Sequence, residues 1–329
     1  METLIESQGW FVLAIIFLIS LFILSKATDT LIDHAVSLSR EFGVSEIIIG
    51  ATIVSLGTTL PELSTAVVAV LQGTTDFALG NAVGSFITNT TLVLGVGSLA
   101  GAIPVMRTTA RRLPFLIGPL IIIIVGSLFS SSGNIHPLIG VILLLCVPIY
   151  LLTAFQNKTN GANTEKETPK RKYNAGMMFK EISIIFFSAV AVAFSATVLV
   201  TTVETVATRL GISEAIIAGT IVALGTSLPE LSTTYASARK GYGGLAMGNI
   251  LGANILNLLL VLGVSISLSS GGLAVPSIFY QIHFPIALLS TGLLAYFIFN
   301  TKKLEISNRE GKVLLAIYIV YLLFNIFPN

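Results

Sequence analysis

The chain reads as a succession of apolar stretches of about twenty residues separated by short polar turns, the length at which a helix crosses the hydrocarbon core of a bilayer. These stretches begin near Trp10, Ser45, Phe77, Leu113, Pro137, Ile182, Ser213, Gly244, Pro276 and Gly311, which predicts about ten membrane-spanning helices and an all-α membrane protein. Glu2 and Glu6 precede the first stretch and no small-residue cleavage site follows closely, so it is expected to stay as a helix rather than leave as a signal peptide. Composition agrees with the pattern. With 54% hydrophobic and 10% charged residues, a chain of 329 residues has too little polar surface for a soluble globule. Its main partner is the lipid bilayer.

Within this pattern the segment Gly50 to Leu99 recurs at Ala218 to Ser267 without a gap, with about half of the positions identical. The matched cores are Leu56-Gly57-Thr58-Thr59-Leu60-Pro61-Glu62-Leu63-Ser64-Thr65 and Leu224-Gly225-Thr226-Ser227-Leu228-Pro229-Glu230-Leu231-Ser232-Thr233. The chain thus divides into a five-helix repeat over 1–155 with its motif at 50–99, a polar linker over 156–180, and a second five-helix repeat over 181–329 with its motif at 218–267. Positive charge orients the two halves. Arg40, the group Arg107, Arg111 and Arg112, the linker with Lys158, Lys166, Lys170, Arg171, Lys172 and Lys180, the pair Arg239 and Lys240, and the group Lys302, Lys303, Arg309 and Lys312 fall in alternate loops. The intervening loops carry essentially no Lys or Arg apart from Arg209. Excess Lys and Arg mark cytoplasmic loops, which places both termini outside. An odd number of spans per half makes the second repeat enter from the opposite face, so the repeats are inverted, the arrangement from which alternating access is built.

Each repeat buries one acid in an apolar helix, where a lone charge costs about 3 kcal/mol or more unless it is paired, protonated or bound to a cation. No basic residue lies in the two ten-residue cores around Glu62 and Glu230, so a cation is the natural partner. Pro61 and Pro229 each remove a backbone donor and loosen the hydrogen bonding of the turn ahead. Backbone oxygens of Ser55 and Ala223 are the candidates for use by an ion, with hydroxyls from Thr58, Thr59, Thr226 and Ser227 one helical turn from the acids. About twenty residues later come Gly80-Asn81-Ala82-Val83-Gly84-Ser85-Phe86-Ile87-Thr88-Asn89 and Gly248-Asn249-Ile250-Leu251-Gly252-Ala253-Asn254-Ile255-Leu256-Asn257. Their glycines, four apart, suit close helix packing, and Ser85, Asn89 and Asn257 add oxygens at helical spacing. An all-oxygen site suits hard cations such as Na⁺ and Ca²⁺.

The two blocks resemble the paired repeats of the calcium/cation antiporter superfamily, nearest in pattern to its sodium/calcium exchanger branch of prokaryotic type, over essentially the whole chain. The resemblance implies four ion-binding helices at the centre of a bundle, with the first and sixth spans sliding across them as gates. It implies Glu62 and Glu230 as the central acids, and Thr58, Thr226, Thr59, Ser227, Ser85 and the carbonyls of Ser55 and Ala223 as further ligands. The chain departs from the family at Ala253 and Asn257, where many exchangers have a serine and an aspartate. Two ionised glutamates would carry −2 and balance one Ca²⁺ or two Na⁺. The function that follows is Na⁺/Ca²⁺ exchange by alternating access at a midplane site, without ATP or another cofactor, in a prokaryotic plasma membrane and with no obligate protein partner. Proton-coupled exchange of Ca²⁺ or a monovalent cation is the alternative, and a cation channel a more distant one.

Other candidates are less specific. Lys26, Asp29 and Asp33 in the first span read as a mutually paired or water-facing cluster near the cytoplasmic end, with a gate role as the other reading. His34, His136 and His283 read as interfacial, Cys146 as a small core residue, and Glu204 has no counterpart in the first span. No nucleotide-binding glycine loop, no nucleophile with a base and no basic surface for nucleic acid is present in the sequence, so neither an enzyme nor a nucleic-acid partner is expected.

Overall fold

The computed structural model describes residues 5, 7–105, 107–129, 133–156, 175–211, 223–300 and 304–326. Within them the apolar stretches form helices, as they must where lipid offers the backbone no hydrogen bonds. We label these α1 (Trp10–Phe42), α2 (Glu46–Leu71), α3 (Thr75–Ala100), α4 (Leu113–Leu128) and α5 (Pro137–Gln156) in the first half. In the second half they are α6 (Ala175–Arg209), α7 (the pieces Ala223–Thr226 and Leu228–Arg239, parted at Ser227), α8 (Gly243–Leu268), α9 (Phe279–Asn300) and α10 (Asn308–Ile326). Seven of them, α1, α2, α3, α5, α6, α8 and α9, are long and apolar enough to cross a membrane.

Two boundaries differ from the sequence reading. Helix α6 begins at Ala175, so the end of the supposed linker is helical, and α10 begins at Asn308, ahead of its apolar run. The added turn of α10 is polar, and that of α6 is cut off from its apolar run by Lys180 and Glu181, charges on which a hydropathy window ends but a helix need not. The expected start of the seventh span at Ser213, the linker charges from Lys158 to Lys172, and Lys302 and Lys303 lie outside the described residues.

The centre of the molecule is α3 and α8, the most deeply enclosed spans, with α2 and α7 beside them. Helices α1 and α6 run along each other at the periphery, each also touching α2 and α7. Helices α2 and α8 approach each other backbone to backbone. A Cβ on Gly248 would collide with the carbonyl oxygen of Ile47, and one on Gly50 with that of Leu245. Only glycine permits two backbones to meet so closely. The turn from α2 to α3 and its repeat partner from α7 to α8 share one device, Gly73 at φ 79° and Gly241 at φ 84°, the left-handed conformation that costs glycine little.

Two small antiparallel ribbons carry the internal symmetry. β1 (Ile103–Pro104), after α3, pairs with β4 (Glu305–Ile306), before α10; β2 (Asn134–Ile135), before α5, pairs with β3 (Leu273–Ala274), after α8. Exchanging the two halves maps one ribbon onto the other. Each therefore ties a loop of one repeat to a loop of the other, and the pair sits on opposite ends of the bundle, as inverted repeats require.

Candidate cation site

The four central helices are interrupted where the repeats carry their polar residues. A π-turn occupies Gly50–Val54 in α2, just ahead of Ser55, and matched π-turns at Asn89–Val93 in α3 and Asn257–Val261 in α8 open on the two asparagines. Such turns leave backbone groups less regularly bonded and frequently mark functional positions. Pro61 lies inside α2 and Pro229 at the start of the second piece of α7.

Of the nine described residues with a buried, unpartnered polar side-chain atom, six are matched between the repeats. Both carboxylate oxygens of Glu62 and Glu230, the hydroxyls of Thr59 and Ser227, and the side-chain oxygen and nitrogen of Asn89 and Asn257 are buried without a hydrogen bond to protein. Glu62, Glu230, Asn89 and Asn257 are completely enclosed. In the register that aligns the repeats, these are three symmetric pairs. Buried polar groups in native proteins are nearly always satisfied, and an unpaired buried carboxylate is far costlier than a hydroxyl. Glu62 and Glu230, placed in different repeats, lie within Coulombic reach of each other.

Around them the hydroxyls cross-link the repeats. Ser85 Oγ of α3 and Thr226 Oγ1 of α7 are 3.3 Å apart. Thr58 Oγ1 donates to the carbonyl oxygen of Ser55 and to Asn249 Oδ1, each at 3.3 Å, and it also lies beside Glu230. Ser55 is buried, and Ala223 opens the first piece of α7. Ala253, where a hydroxyl would complete the symmetry with Ser85, is fully buried.

Two residues of this shell were not singled out in the sequence. Asn81 donates from Nδ2 to the backbone oxygen of Glu62 at 3.2 Å, and Asn249 donates to Thr233 Oγ1 at 2.8 Å while accepting from Thr58. Both stand in the Gly-Asn pairs, a signal that was present but read only for its glycines. Those glycines behave unequally. Gly248 and Gly252 meet the backbone of α2, whereas among the described residues Gly80 and Gly84 meet only the side chains of Phe279 and Tyr321.

Outside the site, two expectations change. His283 is buried rather than interfacial, hydrogen-bonded to Tyr321 through Nδ1 at 3.0 Å and stacked on Phe279. Asp29 and Asp33 pair with Lys240 of the second repeat, not with Lys26, whose ammonium lies over the ring of Phe22. Among the described residues no group of three or more His, Cys, Asp or Glu side chains forms a separate metal cluster.

The sequence model of the family described as sodium/calcium exchanger protein matches residues 12–156 and 180–327. A membrane protein of Methanocaldococcus jannaschii is 31% identical over 92% of this chain and 95% of its own length. The sodium/calcium exchanger MaX1 of Methanosarcina acetivorans is 29% identical over 94% of this chain and 97% of its own. Among solved structures, the sodium-calcium exchanger NCX_Mj soaked with Na⁺ and Sr²⁺ matches with a TM-score of 0.78 at 28% identity, covering 95% of this chain and 98% of that one.

Proposed function

The chain belongs to the sodium/calcium exchanger protein family, and on that premise we propose that it exchanges Na⁺ for Ca²⁺ by alternating access at the enclosed site of Glu62 and Glu230. One observation carries the location: three symmetric pairs of buried polar side chains, two of the six being acids, have no partner in the protein. A Ca²⁺ ion, which takes six to eight oxygens, finds here two carboxylates, the hydroxyls of Thr58, Thr59, Thr226, Ser227 and Ser85, the amide oxygens of Asn89 and Asn257, and the backbone oxygens of Ser55 and Ala223. Na⁺ ions compete for the same oxygens. Because bare carboxylates repel each other and a loaded site does not, occupancy by either cargo favours the enclosed arrangement.

The organisation proposed with it is a pair of five-helix repeats over 1–155 and 181–329, joined by the cytoplasmic linker 156–180, with both termini outside a prokaryotic plasma membrane. The ribbons support the loop assignment: β1 and β4 join the loops around Arg107 and Lys302 to Arg309, both basic, and β2 and β3 join two loops without Lys or Arg. The decisive measurement is ⁴⁵Ca²⁺ uptake into proteoliposomes under an imposed Na⁺, K⁺ or H⁺ gradient. Uptake driven by an outward Na⁺ gradient is the expected result. Uptake driven by a pH gradient alone would instead establish the proton-coupled alternative, and flux independent of any counter-ion a channel.

A further inference from the structure

The two ends of the molecule are not equivalent, although the repeats are. At the α2–α3 turn, Ser64, Thr65, Gln72, Thr74 and Phe77 help line a cavity of about 390 Å³, and among the described residues none of its lining comes from α6. At the repeat-equivalent α7–α8 turn, α1 lies across the corresponding face. Thr28 and Ser232, the repeat partner of Ser64, share a hydrogen bond of 2.8 Å. Lys240, the partner of Gln72, places Nζ 2.9 Å from Asp29 Oδ1 and 3.0 Å from Asp33 Oδ1. The two aspartates are four residues apart and so stand on one face of α1. A glutamine cannot form that ion pair, so the position equivalent to Lys240 has no counterpart of it in the first repeat.

We propose that Lys240, Asp29 and Asp33 form a latch that holds α1 over the Glu230 side of the bundle and biases the exchanger toward the state open at the α2–α3 turn. This rests on the reading of Glu62 and Glu230 as the transport site and on the basic loops being cytoplasmic, which makes the latched end the cytoplasmic one. Alternating access needs two packings of nearly equal energy, and two identical repeats would populate them equally. A contact present at one end only sets the balance. The ammonium loses some hydration by burial, but the two carboxylates outweigh that and hold its pKa above the ordinary lysine value, so it stays charged at neutral pH. Near the same end of α1, His34 Nδ1 lies 2.6 Å from Glu181 Oε2 of α6, which fastens the two peripheral helices to each other; a latch on α1 therefore restrains α6 as well. All three latch side chains are partly exposed, and pairs of that kind are worth about a fivefold shift in an equilibrium rather than a lock.

The test uses Ser232→Cys in a Cys146→Ala background as a reporter of the α1–α7 seam, labelled by a membrane-impermeant thiol reagent from the Lys240 side. Adding Lys240→Gln, or Asp29→Asn with Asp33→Asn, should raise the labelling rate about fivefold. All three together should add nothing beyond either, because they remove one interaction, and Lys240→Arg should stay at the rate of the reporter alone. A labelling rate unmoved by Lys240→Gln, in protein that still unfolds cooperatively on heating, overturns the latch. Glu62→Gln assayed for Ca²⁺ flux in parallel separates the two readings: flux lost with labelling unmoved leaves the site standing without the latch, and flux retained with labelling raised leaves the latch without the site.

Discussion

At the scale of single residues, the site is defined by what its side chains lack. Glu62 and Glu230 are fully buried without a salt bridge among the described residues, Glu230 beside the Thr58 hydroxyl, so removing the charge of either should remove binding at little cost in structural contacts. Glu62→Gln and Glu230→Gln are therefore each expected to reduce Ca²⁺ exchange at limiting Ca²⁺ by at least about a hundredfold, roughly the effect of losing a charge-assisted contact of ~3 kcal/mol, while thermal unfolding in cation-free buffer shifts little or upward. Parent-like flux in both would remove the carboxylates from the mechanism. Asn257 tests the same logic in reverse. It has the shape of an acid without its charge, and Asn257→Asp would put a third carboxylate into an enclosed space that already holds two. Three negative charges there resist joint ionisation, so protons should compete with cations and Ca²⁺ flux should fall as pH is lowered through neutrality, more steeply than in the parent. These residues were legible in the sequence because duplication printed them twice. Asn81 and Asn249 are printed twice as well, but their roles were not legible, since their partners, a backbone oxygen and the threonines of neighbouring helices, have no local signature.

At the scale of helices, the exchanger depends on how closely α2 and α8 approach. The sequence showed glycines at a four-residue spacing in both repeats, but spacing does not reveal which pair meets a backbone. Gly248 meets Ile47 and Ala51, while Gly80, its repeat partner, has nothing nearer than the ring of Phe279 at 4.0 Å among the described residues. Gly248→Ala should accordingly force α8 from α2 and cost about 1–3 kcal/mol by overpacking. Gly80→Ala should be neutral or slightly stabilising, because alanine favours helix by up to ~1 kcal/mol over glycine. Thermal midpoints of the two variants in one detergent give the comparison, and equal loss in both would mean that the close crossing is not where the structure places it. The π-turns at Asn89 and Asn257 were equally invisible in advance. A single widened turn leaves hydrophobic periodicity almost unchanged, whereas its effect on the backbone oxygens beside the site is large.

At the scale of the whole molecule, the argument for alternating access stands on inversion, and inversion is a statement about sides. Five spans per repeat carry the chain from one face to the other, so repeat-equivalent turns must lie on opposite faces: Gly73 opposite Gly241, and Asp76 opposite the neighbourhood of Arg239. The sequence supported this through the alternation of its positive loops, and the ribbons joining β1 to β4 and β2 to β3 supply an independent geometric reason. What the sequence could not supply was the asymmetry between the ends, because Asp29 and Asp33 find Lys240 more than two hundred residues away, and no local pattern announces such a pair. Single cysteines at Asp76, Gly133 and Arg239 in a Cys146→Ala background translate the argument into an experiment on intact cells and inverted vesicles. Asp76 and Gly133 are expected to react only from outside and Arg239 only from the cytoplasm. Labelling of Asp76 and Arg239 from the same side would make the repeats parallel. Two packings related by exchange of the halves could then no longer open the Glu62–Glu230 site to opposite faces, and the carboxylates would have to serve a fixed pore instead of a carrier.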